Sequence, residues 1–424
     1  MNRILLFLFS TFVYSSLLLS QSMNGRFSSS VYTFERIDTT GSSKTHARTY
    51  QMLNFNVGKE NVWLRTYLNL EGDISEKLTY DPRLRFYNLY VDVTNLWDVL
   101  SLKLGRQPLF NSIAGGLFDG GTLGLNYAGY RLKVYYGGNV PAYQKLELID
   151  NWNDNYILGG EFTVLALQDW RFALKYIDKN FASQSYTARR FDPNYNTIDA
   201  LIENKSHQYK FVSGEVSYDM KNVFYLNSRY DYDLNFSTTS RFELSGRYEE
   251  VEDLGISLYY NYREPRIRYN SIFAVFDYGN TWEIEGGVDY LIEKRYTLIG
   301  KFANVSYKDE TSQRVTLGIS SPWGSITGRK SFGYAGEMDA VSIYVAQSVL
   351  QNLLTPSFGF SFTRYRLSKA DPHNELISLL AGLNYRPVRV LSFDVQGQYL
   401  NNKIYKNDWR LFFKLNFWFN TIFE

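Results

Sequence analysis

The sequence predicts an all-β fold, a transmembrane antiparallel β-barrel of about 22 strands (range 18–24) with no plug domain. Three observations predict it. Short segments in which apolar and polar residues alternate follow one another from Gly25 to the end of the chain, and that period puts the two sets on opposite faces of a strand. Aromatic residues make up 17% of the 424 residues, with 36 Tyr, 30 Phe and 8 Trp. A soluble core of that size draws mainly on Leu, Ile, Val and Ala. Mean hydropathy is −0.31, too low for a bundle of spanning helices, each needing roughly 20 consecutive apolar residues, whereas a barrel strand needs only every second residue apolar.

In chain order, residues 1–22 read as a secretory signal peptide: basic Met1-Asn2-Arg3, an uncharged apolar run over 4–19, then Ser20-Gln21-Ser22. Exit after Ser20 or after Ser22 both suit small residues. The remainder, 23–424, reads as one barrel whose first strand begins near Gly25. Val62, Leu64, Thr66, Leu68 and Leu70 alternate with Trp63, Arg65, Tyr67, Asn69 and Glu71. The pattern returns at Tyr130, Leu132, Val134 and Tyr136, again at Trp170, Phe172, Leu174 and Tyr176, and at Phe393, Val395, Gly397 and Tyr399. The last segment is clearest, with Trp409, Leu411, Phe413, Leu415, Phe417 and Phe419 on one face and Arg410, Lys414, Asn416 and Asn420 on the other.

A soluble sandwich alternates in the same way. Aromatic tips at both ends of many strands favour a barrel with two interfacial girdles. Turn lengths point the same way. Short turns at 58–61, 218–222 and 386–389 alternate with long polar connections at 39–46, 74–82 and 179–207, the asymmetry of an outer-membrane barrel. Between 255 and 320 the connections at 264–268, 277–280 and 292–295 are all short, so the strand count is open there. The chain closes on an aromatic strand with Phe423 next to last, similar to the assembly signal of outer-membrane proteins, although Glu424 replaces the usual final Phe.

The richest stretch is Tyr87-Asn88-Leu89-Tyr90-Val91-Asp92-Val93, Leu102-Lys103-Leu104-Gly105-Arg106-Gln107 and Leu117-Phe118-Asp119-Gly120-Gly121. It reads as strand, turn, a strand ending in Gly-Arg-Gln, a Gly-rich loop across 107–121, and a strand opened by Phe-Asp-Gly. Over 87–125 the chain resembles the alginate-export-like outer-membrane porins, whose barrels share a strand ending in Gly-Arg-Gln and a loop returning through Asp-Gly. The resemblance implies that Arg106, Gln107, Gly115, Gly116, Asp119 and Gly120 lie at the outer mouth, with the loop folded inward as a constriction. The glycines would allow its turns. Arg106 would either offer paired donors to a carboxylate or pair with Asp119 and pin the loop; the two roles are compatible.

Alternation turns inward Arg65, Arg131, Lys133, Arg171, Lys175, Arg241, Arg247, Lys301, Arg314, Arg410 and Lys414, opposed by Glu71, Asp92, Glu243, Glu283, Glu285, Asp289 and Asp394. Basic groups outnumber acidic ones, which leans the lumen toward anions; the same residues also suit a ladder of salt bridges filling the wall.

Other chemistry is poorly supplied. The chain has no cysteine, and of His46, His207 and His373 none is expected inside a strand, so thiolate or imidazole centres, metals and cofactors are not expected. There is no Gly-x-Ser-x-Gly elbow, phosphate-binding loop or His-Glu-x-x-His, and no enzyme is expected. With 45 Lys and Arg against 43 Asp and Glu, no nucleic acid is expected. The expected partners are outer-membrane lipid, the outer-membrane assembly machinery and a small-molecule or saccharide solute. The reading is thus a porin-like channel of a Gram-negative-type outer membrane passing small, anionic solutes or acidic saccharides. The alternative is a closed barrel that scaffolds an outer-membrane or secretion complex without transport.

Overall fold

The computed structural model describes residues 21–37, 41–78, 83–110, 113–141, 146–181, 186–191, 195–202, 207–269, 279–308, 310–333, 338–366 and 370–423. Of the expected signal peptide 1–22, residues 1–20 lie outside them, and Gln21 and Ser22 open the first strand. The strands are β1 (Gln21–Ile37), β2 (Ser43–Lys59), β3 (Val62–Asp73), β4 (Arg83–Leu96), β5 (Leu100–Leu109), β6 (Gly116–Tyr127), β7 (Tyr130–Val140), β8 (Tyr156–Val164), β9 (Trp170–Asn180), β10 (Tyr186–Phe191), β11 (Thr197–Ile202) and β12 (Tyr209–Met220). They continue as β13 (Phe224–Asp233), β14 (Thr238–Tyr248), β15 (Leu254–Arg263), β16 (Thr281–Ile292), β17 (Tyr296–Tyr307), β18 (Glu310–Ser321), β19 (Gly324–Gly333), β20 (Met338–Ala346), β21 (Leu354–Tyr365), β22 (Asn374–Val388), β23 (Leu391–Asn401) and β24 (Asp408–Phe423).

Twenty-two of these strands form one antiparallel sheet, each pairing with its neighbour along the barrel. The sheet closes on itself because β1 pairs with β24, from Gln21 opposite Phe423 to Tyr32 opposite Phe412. Among the described residues this closed sheet has no edge strand, which is what lets its strands cross a bilayer. β10 and β11 form a separate hairpin within the 181–208 connection.

Alternation sorts the side chains as expected. Leu132, Val134 and Tyr136 of β7 and Leu411, Phe413 and Phe417 of β24 lie exposed on the outside. Their neighbours Lys133, Tyr135, Asn416 and Ser28 are half-buried or buried on the inside. The chain ends and the short turns share one end of the barrel. Positive φ at Glu60, Ala128, Asn222 and Asp253 makes several of those turns. Trp97, Tyr127, Tyr130, Trp170 and Tyr290 ring that end outside, and Tyr230, Phe332 and Trp409 ring the other, so the aromatic excess forms two girdles.

Several boundaries differ from the sequence expectation. The first strand begins at Gln21, and β2 begins at Ser43, so His46 lies inside a strand, buried, with its ring stacked on Phe34 at 5.3 Å. Pairing with β1 extends β2 despite its polar start, because its lumen face is polar. β15 ends at Arg263 and pairs directly with β16, which begins at Thr281; of the expected connections between them, 270–278 lie outside the described residues. That resolves the count between 255 and 320.

A narrowed lumen and an outward strap

The Gly-Arg-Gln and Asp-Gly segments are neighbouring strand ends. Arg106 and Asp119 are Cα partners of β5 and β6, and the connection between the strands is only 110–115. Gln107, Asp119, Gly120 and Gly121 therefore belong to strands and not to a loop of a dozen residues. Backbone pairing continues past the glycines because Gly120 lets β7 come close: a Cβ there would lie 2.2 Å from the Tyr136 carbonyl oxygen and 2.5 Å from the Gly137 Cα.

Arg106 shares its face with Leu102 and Leu104, and Asp119 shares its face with Gly121 and Leu123; this face is the outside of the barrel. The Arg106 guanidinium donates to both Asp119 carboxylate oxygens at 2.7 and 2.8 Å, and both residues are buried, 2% and 3% exposed. What buries them is the segment 146–155, folded outward over the wall as a strap. Arg106 also donates to the Glu147 carbonyl at 2.8 Å, and the Ile149 amide donates to Asp119 at 2.9 Å. Trp152 packs edge-on against the outward Tyr136 at 5.5 Å and donates to the Ile149 carbonyl. Gly138 provides the seat, since a Cβ there would lie 2.7 Å from Ile149. This geometry corrects the expectation that Arg106 faces a solute. Parity along β5 turns it away from the lumen, and its donors are used in holding the strap.

The inward constriction comes from residues 113–115 of the connection between β5 and β6. Ile113, 3% exposed, caps a cluster of lumen-facing apolar residues: Leu109, Phe118, Tyr135, Ile157, Ile177 and Phe211 from β5, β6, β7, β8, β9 and β12. Two cations fasten the loop. Lys179 of β9 donates to the Gly115 carbonyl at 2.8 Å, and Arg266, from the loop after β15, donates to the Ile113 carbonyl. Gly116 opens β6 beside the Lys179 amine. Gln107 points inward and donates to the Gly120 carbonyl at 3.0 Å while accepting from Thr122 at 2.8 Å, so it braces the wall beneath the loop.

Arg266 stands over a basic group. Burial pushes its guanidinium below its ordinary pKa, Asp231 opposes that shift, and Arg229, Arg241 and Arg263 reinforce it. Arg241 and Arg263 are Cα partners on β14 and β15, and the buried Arg241 Nε has no hydrogen-bond partner. Four guanidiniums thus converge where the loop narrows the lumen.

The rest of the wall is mostly an ion-pair ladder. Arg65 pairs with Asp92 at 2.8 Å, and Glu71 receives Arg48, Arg83 and Arg85 at 3.5–3.8 Å. Arg171 and Lys175 reach Glu215 at 3.3 and 2.6 Å. Arg247 holds both oxygens of Asp289 at 2.7 and 2.8 Å. Lys301 and Arg314 share Glu285 at 3.0 and 2.8 Å, Arg314 also reaches Glu283, and Arg241 pairs with Glu243. Arg410 meets Asp408 at 2.7 Å. Lys133 lies over the Tyr135 ring at 5.8 Å, Lys414 stands opposite Asp394, and Arg131 is exposed at the turn end of β7. Glu161, Glu215, Arg229 and Asp231 complete this wall and were missed from sequence. The signal was present, because 225–233 alternate with period two.

Among the described residues no group of three or more His, Asp or Glu is placed to hold a metal ion. No family model matches the chain, and no curated protein is detectably similar, so the comparisons show no family for it, the alginate-export-like one included. The fold is similar to Pseudomonas aeruginosa OpdK with vanillate, at 10% identity and a TM-score of 0.43 over 95% of this chain and 99% of that one. A BenF-like porin from Pseudomonas fluorescens Pf-5 gives 9% and 0.45 over 95% and 99%. The P pilus usher (PapC) translocation pore gives 11% and 0.46 over 93% and 99%. These are barrels of comparable extent, and at such values they lend this chain no role.

Proposed function

We propose that the chain is a porin-like channel of a Gram-negative-type outer membrane, delivered by an N-terminal signal cleaved after Ser20, ahead of β1, and folded into lipid by the outer-membrane assembly machinery. Solutes cross passively through a water-filled lumen narrowed by residues 113–115. The observation that carries this reading is accessible surface inside a closed ring: Tyr344 and the Lys301 side chain, both lumen-facing, are 50% and 42% exposed. A wall sealed by packing would bury them. The converging Arg229, Arg241, Arg263 and Arg266 outnumber the Asp231, Glu215 and Glu243 carboxylates that pair with them, which favours small anions, acidic saccharides among them. Charge selection needs no cofactor and no bond chemistry.

Purified protein in a planar bilayer tests this. Conductance steps with anion preference are expected, and loss of that preference in Arg266→Ala together with Arg263→Ala. Absence of steps both with the loop intact and with 110–115 replaced by a short glycine linker would instead favour the closed scaffold, whose physical basis is the paired ladder.

A further inference from the structure

The lumen wall is chemically divided. From β9 through β18 it is lined by ion pairs, whereas from β20 to β24 its inward side chains are mainly uncharged hydroxyls and amides, among them Ser342, Ser361, Ser378, Asn384, Gln396 and Gln398. Several are mutually bonded: Gln398 donates to Ser378 at 3.1 Å, and Asn416 donates to Asp394 at 3.0 Å while accepting from Ser28 at 2.7 Å. Asp394, Asp408 and Arg410 in this sector are tied, whereas Lys414 stands opposite Asp394 with no ion pair among the described residues. Arg410 is held by Asp408 and donates to the Tyr32 hydroxyl at 3.1 Å, and Asn384 and Asn416 both donate to Asp394.

Aromatic rings stand at both ends of the same sector, on the lumen side where a water-filled barrel ordinarily keeps polar groups. At the outer end Phe412 meets Tyr32 edge-on at 6.5 Å, and Tyr32 lies beside Phe34 at 5.8 Å. At the turn end Trp418 faces inward with Arg386 over its ring at 5.4 Å. Phe412 and Trp418 are six residues apart on one face of β24, roughly 20 Å along the strand. All four aromatic side chains are half-buried and so remain partly open.

We propose that this sector is a binding track for a neutral oligosaccharide, resting on the channel reading above. The chemistry matches on both counts. Sugar hydroxyls both donate and accept, as amide and hydroxyl side chains do, whereas carboxylates only accept and guanidiniums only donate. The C–H faces of pyranose rings are apolar and cover an aromatic side chain, and rings at both ends with amides between suit a chain of several sugars. The anion path past Arg266 and this track are different walls of one lumen.

The test uses the full-length barrel in detergent, with maltohexaose as the neutral probe and an oligogalacturonate as the acidic one, read by titration calorimetry; bilayer conductance is recorded in parallel. Maltohexaose is expected to bind, and Phe412→Ala with Trp418→Ala is expected to weaken it about tenfold, while lipid-facing Phe413→Ala leaves it unchanged. Gln398→Ala, which removes an amide and no ring, is expected to weaken it too. Heat-modifiable migration on gels identifies folded variants. No maltohexaose binding by the folded wild type, or binding unmoved by Gln398→Ala and by the aromatic pair, overturns the track. Binding of the oligogalacturonate alone overturns it as well. Absence of conductance with maltohexaose bound overturns the channel reading and leaves the track standing, so the two failures are distinct.

Discussion

Arg106 shows how one residue's role follows from parity. An arginine after a strand glycine, with a loop and an aspartate beyond it, is chemically equipped to meet a carboxylate, and the carboxylate it meets is its own Asp119, on the outside wall. Removing one partner leaves the other as an uncompensated buried charge, at a cost of about 3–5 kcal/mol, whereas replacing both by apolar groups is often tolerated. Asp119→Ala is therefore expected to free the strap, seen as rapid protease cleavage near 146–149 and a lower unfolding temperature, and Arg106→Met with Asp119→Leu to restore most of the temperature without restoring the hydrogen bonds to 147 and 149. Equal protease resistance in Asp119→Ala and wild type would remove the latch. Arg266 has the opposite placement. It spans from the segment after β15 to the Ile113 carbonyl, so Arg266→Ala is expected to raise single-channel conductance and its noise, because Lys179 alone then holds residues 113–115.

At the scale of elements, the two loops that leave neighbouring strand pairs act in opposite directions. Residues 113–115 turn inward because apolar side chains wait for them on the lumen face, and Phe118 at 0% exposure sits in that cushion. Phe118→Ala opens a cavity worth about 3–5 kcal/mol in such a site; the expected result is a lower unfolding temperature together with increased conductance, since the loop loses its seat. A lower temperature with unchanged conductance would separate the loop from the constriction. The alternation of β3, β7, β9 and β24 was legible in the sequence because a strand between lipid and water has one apolar face, and so were the short turns. What was not legible was which loops fold in and which fold out. Burial of Ile113 and of the Arg106–Asp119 pair depends on neighbours from β9, β12 and the 146–155 segment, far along the chain, and period-two patterning carries no information about them. The group of four arginines was missed for a related reason: Arg266 lies outside any strand, so alternation assigns it no face.

At the scale of the whole molecule, the order of the barrel depends on one seam between the chain's ends. Each other strand pairs with its neighbour in sequence, or across the β10–β11 hairpin, at modest loop-closure cost, but β1 and β24 must find each other after all the rest has formed. Gly25 lies in that seam with Phe55 on one side and Phe419 on the other. A Cβ there would lie 2.4 Å from the Asn54 carbonyl oxygen, 2.6 Å from the Phe419 ring and 2.9 Å from the Phe55 Cα. Backbone cannot yield as a flexible side-chain tip can, so a bulky β-branched residue must part β1 from β2 or tilt the Phe419 ring away from the wall. Open, the same 22 strands expose two unpaired edges, which bilayer and periplasm alike punish. Gly25→Val is therefore expected to slow or block closure, seen as loss of the compact, heat-modifiable species after refolding into detergent or lipid. Gly397→Val is the matched control, because there the nearest atom to an added Cβ is the Leu411 side chain at 3.8 Å. If Gly25→Val refolds at the rate and yield of Gly397→Val, closure is not limited at the seam, and the order of assembly must be set by the turns.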